Sequence, residues 1–199
     1  MRKKNIFLLV GECATGKTSV EVKLAQKYNR VVSYTTRPKR SNEVDGVDYN
    51  FVNDQTFDNL AAKGEFLEQT QYTVSGRLFR YALPRSGFKD DVPNIVVVNP
   101  HGAFEILQDS VFKENSIILL FKSKLQTRID RYIERETGEE KYSNLVQRLK
   151  QDAIDFEKFE SELDKEKIDY LPIWNEGICL GTFIKHIDKL INLFAEEGK

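Results

Sequence analysis

Cysteine is scarce, with only Cys13 and Cys179 in 199 residues. Two cysteines cannot build a disulfide framework, so nothing marks an oxidising compartment and a reducing cytoplasm is the expected setting. An excess of either charge is also missing. The chain sets 30 Lys and Arg against 31 Asp and Glu, a net charge of −1. Non-specific nucleic-acid binding needs a broad positive field, so no nucleic-acid partner is expected, and any anionic ligand must be held by a local cluster. Long apolar runs are lacking as well. Ile6–Val10 is too short for a membrane span or a leader core, and Glu12 follows almost at once, so no membrane association is expected despite the basic start Met1-Arg2-Lys3-Lys4. There is no internal repeat and no low-complexity tract. What remains, 40% hydrophobic and 31% charged residues, suits one globular domain with a single substantial core.

Three short apolar runs, Ile6–Val10, Ile95–Val98 and Ile117–Phe121, are β-branched and do not alternate. Such runs fit strands buried on both faces. Each gives way to a polar stretch with helical spacing. Val20, Leu24 and Tyr28 fall on one face after the first run, and Phe183, Ile187, Leu190, Ile191 and Phe194 form an apolar stripe near the end. Alternating strands and helices predict an α/β fold with a parallel sheet. Two stretches depart from this rhythm. Asp45 to Pro84 has short alternating segments, Tyr49–Val52 and Phe66–Tyr72, and a turn signal at Ser75-Gly76-Arg77, which predict an inserted β-rich piece with a hairpin. Thr127 to Lys150 is charged and poor in apolar residues. Its charge favours a solvated pair of helices, with a flap centred on Glu134–Glu140 as the other reading.

Gly11-Glu12-Cys13-Ala14-Thr15-Gly16-Lys17-Thr18 matches G-x-x-x-x-G-K-[ST] between a predicted strand and a predicted helix, the context that this phosphate-binding loop requires. Glycines let backbone N–H groups converge on phosphate oxygens, and the positive end of the helix adds to the attraction. The ATP contacts expected are therefore Gly11, Glu12, Cys13, Ala14, Thr15, Gly16, Lys17, Thr18 and the adjoining Ser19. Lys17 supplies charge to the β and γ phosphates, and the Thr18 hydroxyl is placed to ligate Mg²⁺. Cys13 is read as incidental, although Lys17 and the helix terminus could lower its thiol pKa.

A second cluster follows: Ser33-Tyr34-Thr35-Thr36-Arg37-Pro38-Lys39-Arg40, then Asp45-Gly46-Val47-Asp48-Tyr49-Asn50-Phe51-Val52. Two arginines three apart, held by a proline and joined by a tyrosine, suit a phosphate dianion, although an exposed basic loop would read the same way. This stretch resembles the guanylate kinase family, in which the phosphate loop is followed by S-x-x-T-T-R-x-P-R-x-G-E-x-x-G-x-D-Y-x-F. The resemblance spans nearly the whole chain. It implies a P-loop NTPase core with a five-stranded parallel sheet, an inserted β-rich subdomain that binds the nucleoside monophosphate, and a helical lid. The matching ranges are 1–33, 92–126 and 149–199 for the core, 34–91 for the insert and 127–148 for the lid. It also implies small-molecule nucleotide partners, ATP and GMP or dGMP, with Mg²⁺. Protein partners are left open.

Matched residue by residue, Arg37, Arg40, Tyr49 and Tyr81 correspond to the family's holders of the GMP phosphate, and Ser33 and Glu68 to its guanine contacts. An ionised Glu68 could accept from guanine N1–H and N2–H₂, a donor pair that adenine lacks. Arg135 and Arg148 match the lid arginines, with Arg131 nearby, and all three are assigned to catalysis with Lys17. Asn175 matches the residue that ends the last core strand near the adenine.

The chain also departs from the pattern. Tyr-Gly-[Ser/Thr]-Pro becomes Tyr81-Ala82-Leu83-Pro84, which removes a hydroxyl that helps to read guanine. The family's D-x-D becomes Val97-Val98-Asn99, in which Asn99 still offers an oxygen to the GMP site but Val97 can assist neither a metal nor a base. The hairpin before Tyr81 is longer, the helix after Pro84 shorter, and Glu134 and Glu136 replace glycines beside the lid arginine. These changes leave two rival expectations open, a kinase for another nucleoside monophosphate and a non-catalytic protein-binding module on the same fold. His101 lies close to the expected site, while His186 falls on the last helix.

Overall fold

In the computed structural model, which describes residues 3–40, 43–74 and 77–196, nine strands and eight helices follow one another along the described residues. They are β1 (Ile6–Gly11), α1 (Lys17–Leu24), β2 (Asn29–Arg30), β3 (Tyr34–Thr35), β4 (Asn50–Phe51), α2 (Asp54–Ala62), β5 (Phe66–Val74), β6 (Arg77–Pro84), β7 (Asn94–Val97), α3 (Pro100–Gln108), α4 (Ser110–Asn115), β8 (Ser116–Lys122), α5 (Leu125–Arg135), α6 (Lys141–Phe156), α7 (Phe159–Lys165), β9 (Tyr170–Trp174) and α8 (Leu180–Glu196).

Five strands form an all-parallel sheet in the order β2-β7-β1-β8-β9, with β1 at its centre. The unbroken apolar run of β1 follows from burial on both sides. Ile6, Leu8 and Val10 point into a core shared with Val96, Ile118, Leu120, Ala103, Ile106, Phe159 and Leu163. Phe7 and Leu9 point the other way, onto Val20, Leu24, Phe183, Ile187 and Ile191. Alternation along a strand therefore feeds two helical layers. Pro172 fits because β9 pairs only with β8 and lies at the sheet edge, where a missing N–H costs no ladder bond. Helix α1 ends at Leu24, short of Tyr28, but Tyr28 is still buried beneath α8, where its hydroxyl donates to Asp188 Oδ1.

The insert carries its own sheet, β4-β3-β6-β5, with β5 and β6 forming the expected antiparallel hairpin. Of the turn signal, Ser75 and Gly76 lie outside the described residues, and Arg77 already belongs to β6. The β-rich reading missed α2, which covers the insert's small core of Phe57, Phe66 and Ala82. Neighbours on the hairpin face oppositely: Leu67 and Leu83 enter the main core while Phe66 and Ala82 enter the small one. The charged stretch is a helix pair, α5 and α6, joined by residues 136–140. Helix α6 runs unbroken past Arg148.

Asn53 caps α2, its side chain accepting from Thr56 N at 2.8 Å. Asn53→Ala should cost about 1 kcal/mol. Hydrogen exchange should rise in α2 first, because the lost bond is local, and unchanged exchange there would contradict this account.

Candidate active site

The loop between β1 and α1 leaves the C-terminal edge of the sheet, where open parallel sheets place their ligands. Its carbonyls are held one after another by side chains. Lys17 Nζ donates to Gly11 O and, at 2.9 Å, to Glu12 O. Arg128 Nε donates to Cys13 O at 3.0 Å, Arg131 Nη1 to Ala14 O at 3.4 Å, and Asn175 Nδ2 to Thr15 O at 2.9 Å. Five consecutive carbonyls are thus engaged, and the turn holds Ala14 at φ 59° and Gly16 at φ 101°. A side chain at Gly16 would put a Cβ 2.7 Å from Asn175 Nδ2, the same amide that braces Thr15, so glycine is required twice over. Burial pulls the Lys17 ammonium down to about pKa 8. Thr18 and Ser19 lie exposed in the first turn of α1.

Arg131 and Asn175 therefore join the loop, and Arg131 Nη2 also donates to Asn175 O at 3.0 Å. Arg135 and Arg148 meet elsewhere. Both guanidinium groups lie against the Tyr132 ring, 5.4 and 5.8 Å from its centroid, and Arg135 pairs with Glu136. Reading the sequence missed Arg128 and Asp152. Arg128 is buried, with Nη1 on Glu12 Oε1 and Nη2 on Asp152 Oδ2 at 2.6 Å, while Asp152 Oδ2 accepts from Cys13 N at 2.8 Å. The helical spacing of Arg128, Arg131 and Arg135 on α5 was the available signal. The Cys13 thiol pKa is raised, not lowered by Lys17 and the helix terminus. Burial pushes it up, and the Asp152 carboxylate pushes it further.

In the insert, Arg37 makes a paired contact with Glu43, Nη1 at 3.0 Å and Nη2 at 2.6 Å, and lies over the rings of Tyr49 and Phe51. Those bonds hold the Glu43 carboxyl below its ordinary pKa. Glu43 also accepts from the Arg40 backbone N, whereas the Arg40 side chain is exposed. Sequence reasoning did not anticipate Glu43. Tyr49, Tyr81 and Tyr72 make a chain of edge contacts, each pair with centroids 5.8 Å apart. Ser33 stands between β2 and β3, its carbonyl accepting from Asn50 N.

Tyr72 leads to the end of β7. Asn99 caps α3, its oxygen accepting from Gly102 N at 2.7 Å, and its amide donates to the Tyr72 hydroxyl. The oxygen expected to face a ligand is thus engaged with the helix. Glu68 sits over Gly102, where an added Cβ would come within 2.9 Å of its Oε1. Leu83, opposite Glu68, is wholly buried in the main core. His101 is exposed and pairs with Glu105.

The two groups of residues share one sheet edge. Val97 is paired with Leu9, two residues before Gly11, and Asn99 lies two residues further on. From α1, Glu21 accepts from Val97 N and pairs with Arg30, whose Nη1 donates to Val47 O beside Tyr49. Loop, β7 terminus and insert are therefore linked side by side.

A five-stranded parallel sheet with this loop following its central strand, and a second sheet inserted between core strands, defines a two-sheet α/β protein. A family model described as Guanylate kinase matches residues 3–170. The chain belongs to the guanylate kinase family. A guanylate kinase of Oceanobacillus iheyensis is 29% identical over 181 residues, which cover 81% of this chain and 84% of that protein. One of Leifsonia xyli subsp. xyli is 40% identical over 88 residues, 43% of this chain and 34% of the other. The crystal structure of guanylate kinase from Anaplasma phagocytophilum shares the fold, with a TM-score of 0.65 and 23% identity over 100% of this chain and 89% of that one.

Proposed function

We propose that this chain transfers the γ-phosphoryl group of ATP to GMP or dGMP, giving ADP and GDP or dGDP. The observation that carries this reading is the shared edge, where the β1–α1 loop and the Arg37–Tyr49–Tyr81–Glu68 group lie beside adjacent strand ends. A nucleotide tail in one can then face a phosphate in the other, and catalysis becomes a matter of positioning and charge.

In this reading the loop amides and Lys17 cradle the ATP phosphates. Arg131 and Asn175 brace the loop and border the donor nucleotide. Arg37, Arg40, Tyr49 and Tyr81 hold the acceptor phosphate, and Arg37 exchanges Glu43 for it. Glu68 and Ser33 face the guanine, with Asn99 setting the end of α3 beneath them. Arg135 and Arg148 approach the transferring group when the part of residues 127–148 beyond Arg131 closes over the core, and residues 34–91 act as the acceptor-binding insert. Among the described residues no three His, Cys, Asp or Glu side chains converge as a metal site. The donors present fit a Mg²⁺ held by the Thr18 hydroxyl and by nucleotide phosphates, which is how Mg²⁺ is commonly bound. When bound, it would neutralise phosphate charge. Among the described residues no helix is long and apolar enough to cross a membrane, and both cysteines are free thiols. The setting we propose is cytoplasmic.

A coupled assay across the common nucleoside monophosphates, with and without Mg²⁺, tests this. Mg²⁺-dependent formation of GDP is expected. Preference for AMP or a pyrimidine would overturn the guanine reading, and no transfer to any acceptor would favour a non-catalytic module. Glu68→Gln exchanges a charged acceptor for an amide that presents a donor to guanine's N–H groups. A hydrogen bond to a charged group contributes about 1.5–3 kcal/mol, so the KM for GMP should rise roughly 10- to 100-fold with the KM for ATP unchanged. Equal rises in both would remove Glu68 from the base site.

A further inference from the structure

Glu68 is held from its own strand. Glu68, Thr70 and Tyr72 alternate onto one face of β5, and the Thr70 hydroxyl donates to Glu68 Oε1 at 2.5 Å. The side chain directly opposite, Leu83, offers no such donor. Leu83 belongs to the main core, and Tyr81 stands across from Thr70 with its ring against Tyr72 and Tyr49. Gly102 leaves the carboxylate room above the first turn of α3. That turn, capped by Asn99, favours negative charge over it. The structure thus contains a carboxylate pressed against a helix start, with one oxygen fixed by a neighbouring hydroxyl.

We propose that Thr70 is a positioning residue for acceptor recognition, fixing the orientation of Glu68 so that its carboxylate presents to the paired N–H donors of a guanine. This rests on the phosphotransferase reading above. Each carboxylate oxygen has two lone pairs. Oε1 can keep the Thr70 bond and still accept from the base, and the second oxygen stays available to the adjacent donor. Without the hydroxyl, the side chain is free to turn about its last bonds, and the matched pair of acceptors is lost more often than kept.

The same bond bears on protonation. Burial raises the Glu68 carboxyl pKa and the Thr70 bond opposes that rise. The charged and titratable groups around it are Glu105, which raises it, and His101, which lowers it, both on α3. Tyr72 is on the same strand, Tyr81 on β6, and Arg85 and Asp109 border the adjoining cavity of about 420 Å³. With the hydroxyl removed, Glu68 protonates at a higher pH. A protonated carboxyl carries a donor of its own and loses part of its acceptor capacity, so acceptor affinity falls as pH drops, and begins to fall earlier.

The test compares the full chain with Thr70→Val and Thr70→Ser. Valine keeps the shape and the strand preference, and serine keeps the hydroxyl. For Thr70→Val we expect the KM for GMP to rise about tenfold, kcat to stay within twofold and the KM for ATP to hold, with the acid limb of the GMP KM profile moved to higher pH. Thr70→Ser should restore all of these. An unchanged KM and acid limb in Thr70→Val, or a loss that serine does not rescue, would overturn the proposal. So would a joint fall of kcat and ATP affinity, which a general distortion of the fold would produce. If the unmodified chain phosphorylates no GMP, the parent reading fails. The carbon-NMR titration of Glu68 then decides separately whether Thr70 governs this carboxylate. An identical titration in the unmodified chain and Thr70→Val would overturn the role of Thr70.

Discussion

Lys17→Ala is expected to lower phosphoryl-transfer turnover by about a thousandfold while leaving the melting temperature close to its original value. The ammonium lies against the loop, donating to Gly11 O and Glu12 O, and is the cation built into the turn itself. Loss of one preorganised donor at a developing charge costs roughly 10²–10³ in rate, and a point charge on the phosphates is at the upper end of that range. The folded state depends less on it, because burial already penalises its charge and pulls its pKa to about 8. The sign of the pH effect follows. Above pH 8 the lysine of the free protein is mostly neutral, and a polyphosphate favours its charged form. ATP binding should therefore take up a proton between about pH 8 and the ordinary lysine range, and ATP affinity should fall as pH rises through that window. Calorimetry in buffers of different ionisation enthalpy measures the uptake. Turnover above a tenth of the original in Lys17→Ala, or binding without proton uptake at pH 9, would contradict this role.

The second large effect is on stability. Arg128→Met should cost about 3 kcal/mol and lower the melting temperature by roughly 6–12 °C. The Arg128 side chain is only 4% exposed and joins Glu12, Cys13 O and Asp152. Methionine fills much of its volume, so packing is largely kept. What remains is a pair of neighbouring carboxylates and a carbonyl without their cation, and breaking a buried pair from one side leaves uncompensated charge. Glu12 keeps a third of its side chain in solvent, which holds the expected cost at the lower end for such pairs. Arg128→Met combined with Asp152→Asn should recover part of the loss, because the two residues share one interaction. A melting temperature unchanged in Arg128→Met would show that solvent already screens this cluster.

What could be read of the candidate site from the sequence is local. The loop from Gly11 to Thr18 is contiguous, and its glycine spacing reports backbone geometry directly. Arg37, Arg40 and Tyr49 are close in sequence, and local contacts set Arg37 against Tyr49 and bind Glu43 to Arg37 and to the Arg40 backbone. Arg128 and Asp152 were not legible. They lie 24 residues apart, on two helices whose charged composition reads as solvated surface. Only the packing of α5 and α6 against the loop joins them there and buries Arg128. Asn99 shows the same limit from the other side: its oxygen looked available, but a helix begins at Pro100 and takes it as a cap.

The sequence by itself determined the parallel core, the phosphate loop and the hairpin of the insert, because strand burial, glycine placement and strand alternation act over a few residues. The tertiary structure alone decided which arginine braces which carbonyl, that Leu83 belongs to the core, and that the loop and the insert meet at one sheet edge. Those outcomes depend on strand order and on helices crossing between distant segments. No spacing along the chain encodes them, since they arise only when β7 pairs beside β1.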